Sequence, residues 1–293
     1  MAIGKMNLKH KFIGTLLFIF LTSGSACVAP AQQINGKYTE LEKLPPQFSF
    51  VVLGDNRSGD DVYRHLIGMA MEHRPDFIMN TGDMIATPGD KEAWAKFSEM
   101  SKPVTVPYFL TVGNHDVHSK VLGSEAIYKE QVNLPGNKLY YSFVAGNSLF
   151  IVLDTCIGGQ EKKITGEQYT WLEDVLSNSN QKHKFVFLHH PLYSVPRKGK
   201  HAGNSLDRYP KERDRLEALL MKNRVDFVFA GHEHLYLRQI VDGINHVISG
   251  GGGAPLYAEE KDGGFHHFIL VTIDGDNVSG EVVDVNGKVR DRF

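Results

Sequence analysis

The sequence predicts an α/β fold: a single domain with two β-sheets and helices on their outer faces. Two observations lead there. In the first half, apolar runs of strand length alternate with stretches of helical periodicity, the order that builds partly parallel sheets. In the middle and at the end, apolar runs are joined by two-residue turns, which add antiparallel strands. The chain has 293 residues, enough for one large domain or two small ones, and no repeat or linker divides it.

Residues 1–31 differ in kind from the rest. Lys5, Lys9, His10 and Lys11 make a basic start, "FIGTLLFIFL" (12–21) is almost wholly apolar, and Ala29-Pro30-Ala31 offers a small-residue cleavage site. This pattern predicts a secretory signal segment removed near Ala31, and a mature chain that is extracytoplasmic, either periplasmic or secreted. The apolar run is too short for a transmembrane helix, which needs about 20 residues. Cys27, in "GSAC", keeps open a second route with a lipid anchor on that thiol, although Gly24 stands where a lipoprotein signal usually has Leu. The predicted domain spans 32–293. Only Cys156 then remains of the two cysteines, so no internal disulfide is expected and Cys156 reads as a small buried residue.

Beyond a polar entry segment, "FSFVVLG" (48–54) reads as a buried strand. Residues 61–73 carry Val62, Leu66, Met69 and Ala70 at helical spacing, with Asp60 as N-cap and Pro75 as stop. "DFIMNTG" (76–82) is strand-like, Lys91 to Met100 a short helix, and "VPYFLTVGN" (106–114) a third strand. "LYYSFVAG" (139–146) and "SLFIVLDT" (148–155) form a hairpin across Gly146-Asn147. A helix at 166–177 capped by Thr165, the strand "KFVFLHH" (184–190), a long loop, a helix at 211–223 and the strand "DFVFAG" (226–231) follow. The last runs (235–242, 244–249, 265–274 and 277–285) read as one antiparallel set.

The chemistry-bearing residues sit just past the apolar runs. Asp55 follows the first, Asp83 the second, Asn114, His115 and Asp116 the third, then come His189, His232 and His234. Ligands outside the carboxyl ends of strands are a recurring α/β arrangement. Asp, Asn and His donors suit one or two Mn, Zn or Fe ions rather than soft thiolate metals. Paired metals can activate water and clamp a phosphoryl group. His232 and His234 point the same way if the backbone is extended, with Glu233 pointing elsewhere. By the same alternation His190 faces away from His189. His65, His73, His183 and His246 read as surface or strand positions, His266 and His267 as core or edge. The glycines of 250–253 precede no Gly-Lys-Ser/Thr, so they read as sites of close backbone packing rather than a phosphate loop. Arg197, Lys198, Lys200 and His201 either draw in anionic substrates or form an ordinary solvated loop. The net charge of -2 gives no reason to expect a nucleic-acid partner.

In order along the chain, "GD" (54–55), "GD" (82–83), "GNHD" (113–116), "HH" (189–190) and "GHEH" (231–234) resemble the calcineurin-like metallophosphoesterase family. "YYSFVAGNSLFIVLD" (140–154), "LHHPLY" (188–193) and "SGGGGAPLY" (249–257) are similar to its purple-acid-phosphatase-like branch. The resemblance implies a four-layer fold, a two-sheet β-sandwich flanked by helices. It implies metal-dependent hydrolysis of a small phosphorylated substrate at a dinuclear centre. Asp83 would bridge two metals, Asn114, His189 and His232 would complete one site, and Asp55 and His234 would serve the other. Asn114 and His115 would meet the substrate, with His115 at the leaving group and Asp116 orienting it. The alternative is a binding or scaffold protein that kept the fold and lost catalysis. A signalling protein phosphatase would continue the second motif with Asp-Arg-Gly, and this chain has "GDMIATPG".

One ligand of the family pattern is missing. Most members place His two residues after the first Asp, and purple acid phosphatases use Tyr three residues after the second. Here those positions are Arg57 and Ala86. The first site is left with Asp55, Asp83 and His234. Arg57 is expected either to clamp a substrate phosphate beside a weak first metal or to turn aside to Asp60 or Asp61.

Overall fold

A computed structural model describes residues 1–2, 38–132, 134–136, 138–195, 200–201 and 203–293. The predicted signal segment 1–31 (bar its first two residues), Cys27 and the cleavage site at Ala31 lie outside the described residues, as do Arg197 and Lys198. In chain order the elements are α1 (Tyr38–Leu41), β1 (Gln47–Leu53), α2 (Asp60–Glu72), β2 (Phe77–Asn80), α3 (Lys91–Met100) and β3 (Tyr108–Leu110). They continue with α4 (Ser124–Gln131), β4 (Tyr141–Ala145), β5 (Ser148–Val152), α5 (Gly166–Ser177), β6 (His183–Leu188) and α6 (Pro210–Lys222). The last are β7 (Phe227–Ala230), β8 (Tyr236–Val241), β9 (Ile244–Ser249), β10 (His267–Asp274), β11 (Asn277–Asp284) and β12 (Val289–Arg292). They build two six-stranded sheets, ordered β12-β11-β10-β1-β2-β3 and β4-β5-β6-β7-β9-β8. Strands β1, β2 and β3 are parallel neighbours, and so are β5, β6, β7 and β9.

Alternation along these strands decides the layers. Phe50 and Val52 join an apolar cluster with Phe150, Phe185, Phe187 and Phe229 of the other sheet, so this cluster lies between the sheets. Phe50 stacks on Phe77 at 5.2 Å and meets Phe150 and Phe185 edge-on at 5.1 and 5.3 Å. Val51 and Leu53 face outward to Tyr63 and Leu66 of α2 and Trp94 and Phe97 of α3. Val186 and Leu188 likewise meet Leu172 of α5 and Leu216 and Leu220 of α6. Helix, sheet, sheet, helix is the four-layer α/β architecture predicted above.

The departures are local and have reasons. Residues 235–285 do not form one antiparallel set. The β8–β9 hairpin joins the second sheet, with β9 parallel to β7, while β10 and β11 join the first through β1. Turn signals fix each hairpin, but sheet membership comes from pairing far along the chain. Strand β6 stops at Leu188, before His189. Helix α4 buries only Ser124 and Tyr128, and β12 reads VRDR, so neither carries the periodicity that would reveal it. Gly59, not Asp60, is the N-cap of α2, while Thr165 is the N-cap of α5 as expected, with its hydroxyl donating to Gln160 and not to the helix.

Cys156 is buried, as expected. Its N–H donates to Asp154 Oδ1 at 2.6 Å, just past β5. Burial pushes the Asp154 carboxyl up to about 7. The folded carboxyl therefore holds its proton above the unfolded value of about 4. Its stabilising contribution is complete below about pH 4 and is lost as pH rises through about 7. Asp154→Asn keeps the acceptor for Cys156 and cannot ionise. Urea unfolding is expected to show this variant about 4 kcal/mol more stable than the parent at pH 8, with the gap closing near pH 4. A gap independent of pH would show that burial leaves the Asp154 carboxyl at its unfolded value.

Candidate metal centre

Five of the seven parallel strands, β1, β2, β3, β6 and β7, are followed directly by the polar residues of the sequence motifs. The loops are tied to one another by backbone hydrogen bonds. Asp55 N donates to Gly82 O at 2.8 Å, Gly231 N to His189 O at 3.0 Å, and Gly252 N to Gly54 O at 2.8 Å. The last bond shows the 250–253 glycines packing against the first motif. Asp55, Asp83 and His232 have φ of 54°, 58° and 69°, a left-handed backbone that non-glycine residues adopt at a cost. Backbone approach is close here as well. A Cβ on Gly113 would lie 2.3 Å from Asp83 Oδ1, and one on Gly231 2.3 Å from Asp55 Oδ2.

Two groups of ligand atoms result. Those of Asp55, Asp83 and His234 lie within 4.8 Å of one another, as do those of His189, His190 and His232. His189 Nδ1 lies 2.9 Å from the Thr81 carbonyl. A carbonyl only accepts, so Nδ1 carries a proton and, in the neutral imidazole, Nε2 presents a lone pair. That lone pair faces Asn114 Oδ1 at 3.1 Å and Asp83 Oδ1 at 3.3 Å. His234 repeats the arrangement. Its Nδ1 donates to Pro255 O at 2.7 Å, and its Nε2 lies 3.4 Å from Asp55 Oδ1. Among the described residues the buried His232 Nε2 has no hydrogen-bond partner. Acceptors turned on acceptors in a buried site repel, and a cation between them reverses the sign. Imidazoles fixed by a carbonyl on the far nitrogen are the usual support for metal-binding histidines. The residues present therefore fit a divalent or trivalent transition metal.

Asp83 lies between the two groups. Arg57 takes neither of the expected courses in full. It turns toward the first group, not to Asp60 or Asp61, and its Nε donates to Asp83 Oδ2 at 3.2 Å. Asp60 pairs with Lys96, and Asp61 with Arg64. His115 N donates to Asp83 Oδ1 at 2.9 Å, and His115 Nδ1 to the Ala86 carbonyl at 2.7 Å. Asp116 does not touch the His115 ring. Its buried carboxylate accepts from the backbone N–H groups of Asp83, Met84, Ile85 and Gly113 at 2.8–3.2 Å. It thus clasps the second and third motif loops, and Ala86 orients His115.

Sequence reasoning placed three residues wrongly or not at all. His190 was expected to face away from His189. Because β6 has already ended, alternation does not apply, and the His190 ring lies 4.3 Å from that of His232. Burial, with His189 beside it, pushes His190 well below its ordinary value. The His201 ring packs 4.3 Å from His232, although its loop read equally well as solvated. The Tyr257 ring stacks on His234 at 4.1 Å, with Lys200 Nζ 4.0 Å from its centroid. Tyr257 closes the "SGGGGAPLY" segment, the only signal that could have found it. His232 is not extended, so the i, i+2 argument does not explain the "GHEH" motif. Its two histidines instead serve different ligand groups.

A model of the calcineurin-like phosphoesterase family matches residues 48–236, and the chain belongs to that family. Its relatives put it in the purple-acid-phosphatase-like branch. It is 32% identical over 190 residues to purple acid phosphatase 23 of Arabidopsis thaliana, covering 59% of this chain and 37% of that one. It is 25% identical over 278 residues to purple acid phosphatase 22 of the same plant, covering 82% and 62%. The chain thus spans well under two thirds of the length of the first of these relatives. Another similar Arabidopsis protein, 28% identical over 203 residues (57% of this chain and 30% of that one), is named "Probable inactive purple acid phosphatase 9". In fold the chain is similar to a purple acid phosphatase from yellow lupin seeds. The TM-score is 0.73 at 20% identity, over 85% of this chain and 54% of that one.

Proposed function

We propose that the chain is a metal-dependent phosphoric ester hydrolase acting outside the cytoplasm on a small phosphorylated substrate. The observation that carries this reading is the facing of lone pairs at His189–Asp83–Asn114 and His234–Asp55. Asp55, Asp83 and His234 would hold one cation, and Asp83, Asn114, His189 and His232 the other, with Mn, Zn or Fe suited to these donors. Lewis acidity toward the phosphoryl oxygens and activation of a water would come from the bound cations. His115 Nδ1 donates to Ala86, so Nε2 is the atom turned to substrate, where a proton can pass to the leaving oxygen. Arg57 Nε engages Asp83, and its terminal nitrogens make no ion pair among the described residues, so they can hold a phosphate oxygen.

The location rests on the signal pattern ending near Ala31, with lipid attachment at Cys27 as the second route. Among the described residues no helix is long and apolar enough to cross a membrane. One observation favours a second reading, a binding protein that has lost turnover: Arg57 places a fixed cation on the carboxylate both groups would share.

Metal analysis of the purified mature protein, with Mn, Zn or Fe reconstitution and a panel of aryl phosphate monoesters and diesters, separates the two readings. The expected result is metal-dependent turnover that a chelator abolishes. His115→Ala is expected to lower kcat by roughly 10²–10⁴ while leaving metal content unchanged. No turnover with any of the three metals supports the binding reading.

A further inference from the structure

Beside the ligand groups the surface opens into a cleft of about 450 Å³, and its walls are of two kinds. Asn114, His190 and His232 bring it against the metal centre, while Lys120, Lys162 and Arg208 make another part of it basic. Among the described residues none of these three cations has an ion-pair partner. Glu161, the one carboxylate on the lining, accepts from Ser119 Oγ at 2.8 Å.

Lys162 is built into place. Its φ of 62° lies in the left-handed region, and its N–H is anchored to Thr155 O at 2.8 Å. Asn204, from the loop before α6, accepts one of its three ammonium hydrogens, and two remain. The half-buried ammonium is pushed below its ordinary value by burial and then by Arg208, as expected of two cations gathered with too little negative charge between them. A substrate reduced to one phosphate leaves these cations without a partner.

We propose that this cleft is a second anion subsite, in which Lys162 and Arg208 receive a further phosphate group of the same substrate. The preferred substrates are then small molecules with two phosphates, such as phosphoanhydrides or bisphosphates. This inference rests on the phosphoesterase reading for the word substrate, but its binding arm does not need turnover. Lys162 and Arg208 act by positioning, not on the reacting bond.

The test uses the full mature protein reconstituted with Mn, with inorganic pyrophosphate and inorganic phosphate as calorimetric probes. Pyrophosphate is expected to bind at least tenfold tighter than phosphate. Lys162→Gln is expected to weaken pyrophosphate about tenfold and phosphate less than threefold, with Lys162→Arg restoring most of the difference. In kinetics the same variant is expected to raise KM for a bisphosphate far more than for 4-nitrophenyl phosphate, with kcat little changed. Equal affinity for the two probes, or equal weakening of both, overturns the subsite. A fall in phosphate affinity alone shows the cleft holding free phosphate and also overturns it. Lys162-dependent pyrophosphate binding without turnover of any ester sinks the hydrolase reading and leaves the anion subsite standing.

Discussion

Asp83→Ala is expected to lower turnover of an aryl phosphate by at least about 10³-fold and to deplete bound metal, while the metal-free protein unfolds within about 1–2 kcal/mol of the parent. Asp83 is the one carboxylate in contact with both sides of the site. Its Oδ1 lies 3.3 Å from His189 Nε2, and its Oδ2 is 3.2 Å from Arg57 Nε. Its removal takes a donor from the Asp55–His234 group and the carboxylate that faces His189 of the other group. It also leaves the His115 N–H and the Arg57 guanidinium without their acceptor, which is the source of that loss in stability. Arg57→Ala is the contrasting variant. It frees Asp83 Oδ2, so metal content is expected to rise or hold while KM rises. Metal analysis beside steady-state kinetics reads both. A variant at Asp83 that retains full metal and rate would place the cation elsewhere.

The opposite balance is expected at Asp116. Its carboxylate accepts from four buried backbone N–H groups, and alanine leaves all four without a partner. Unsatisfied buried donors cost about 1–3 kcal/mol each before relaxation, so Asp116→Ala is expected to lose roughly 3–5 kcal/mol. That corresponds to a fall of about 10 °C in Tm. Asp116→Asn keeps one acceptor oxygen but turns an NH₂ toward the remaining donors, and is expected to fall between the two. Thermal unfolding of the metal-free proteins decides the matter. A Tm within 2 °C of the parent would show that the loops hold together without Asp116. The sequence assigned this residue to His115, because adjacency in "GNHD" suggested contact. Burial and the turn at Gly113 send its carboxylate the other way, under the second motif.

Much of the fold was legible because burial imposes a period. Phe50 and Val52 against Val51 and Leu53 can be read directly as a strand with two buried faces, and α3 and α5 fall on the predicted residues. Elements with few apolar residues, α4 and β12, leave no such trace. Among the site residues, those just past an apolar run were legible, because a strand end fixes where the next side chain can go. His190, His201 and Tyr257 were not. Each lies in irregular backbone, where no period tells which way a ring points.

The sequence by itself determined most of the strands and helices, the order of the motif residues, and the donor types that suit a metal. Those follow from local periodicity and from the chemistry of side chains. Only the tertiary structure decided that the two C-terminal hairpins join different sheets and that Arg57 lies on Asp83 rather than on its neighbours in sequence. Only it gathered His190, His201 and Tyr257 around the ligands and placed Lys162 in the same cleft. The physical reason is common to all of these. They are contacts between segments far apart in the chain, fixed by how two packed sheets bring their ends together, and no local pattern encodes them.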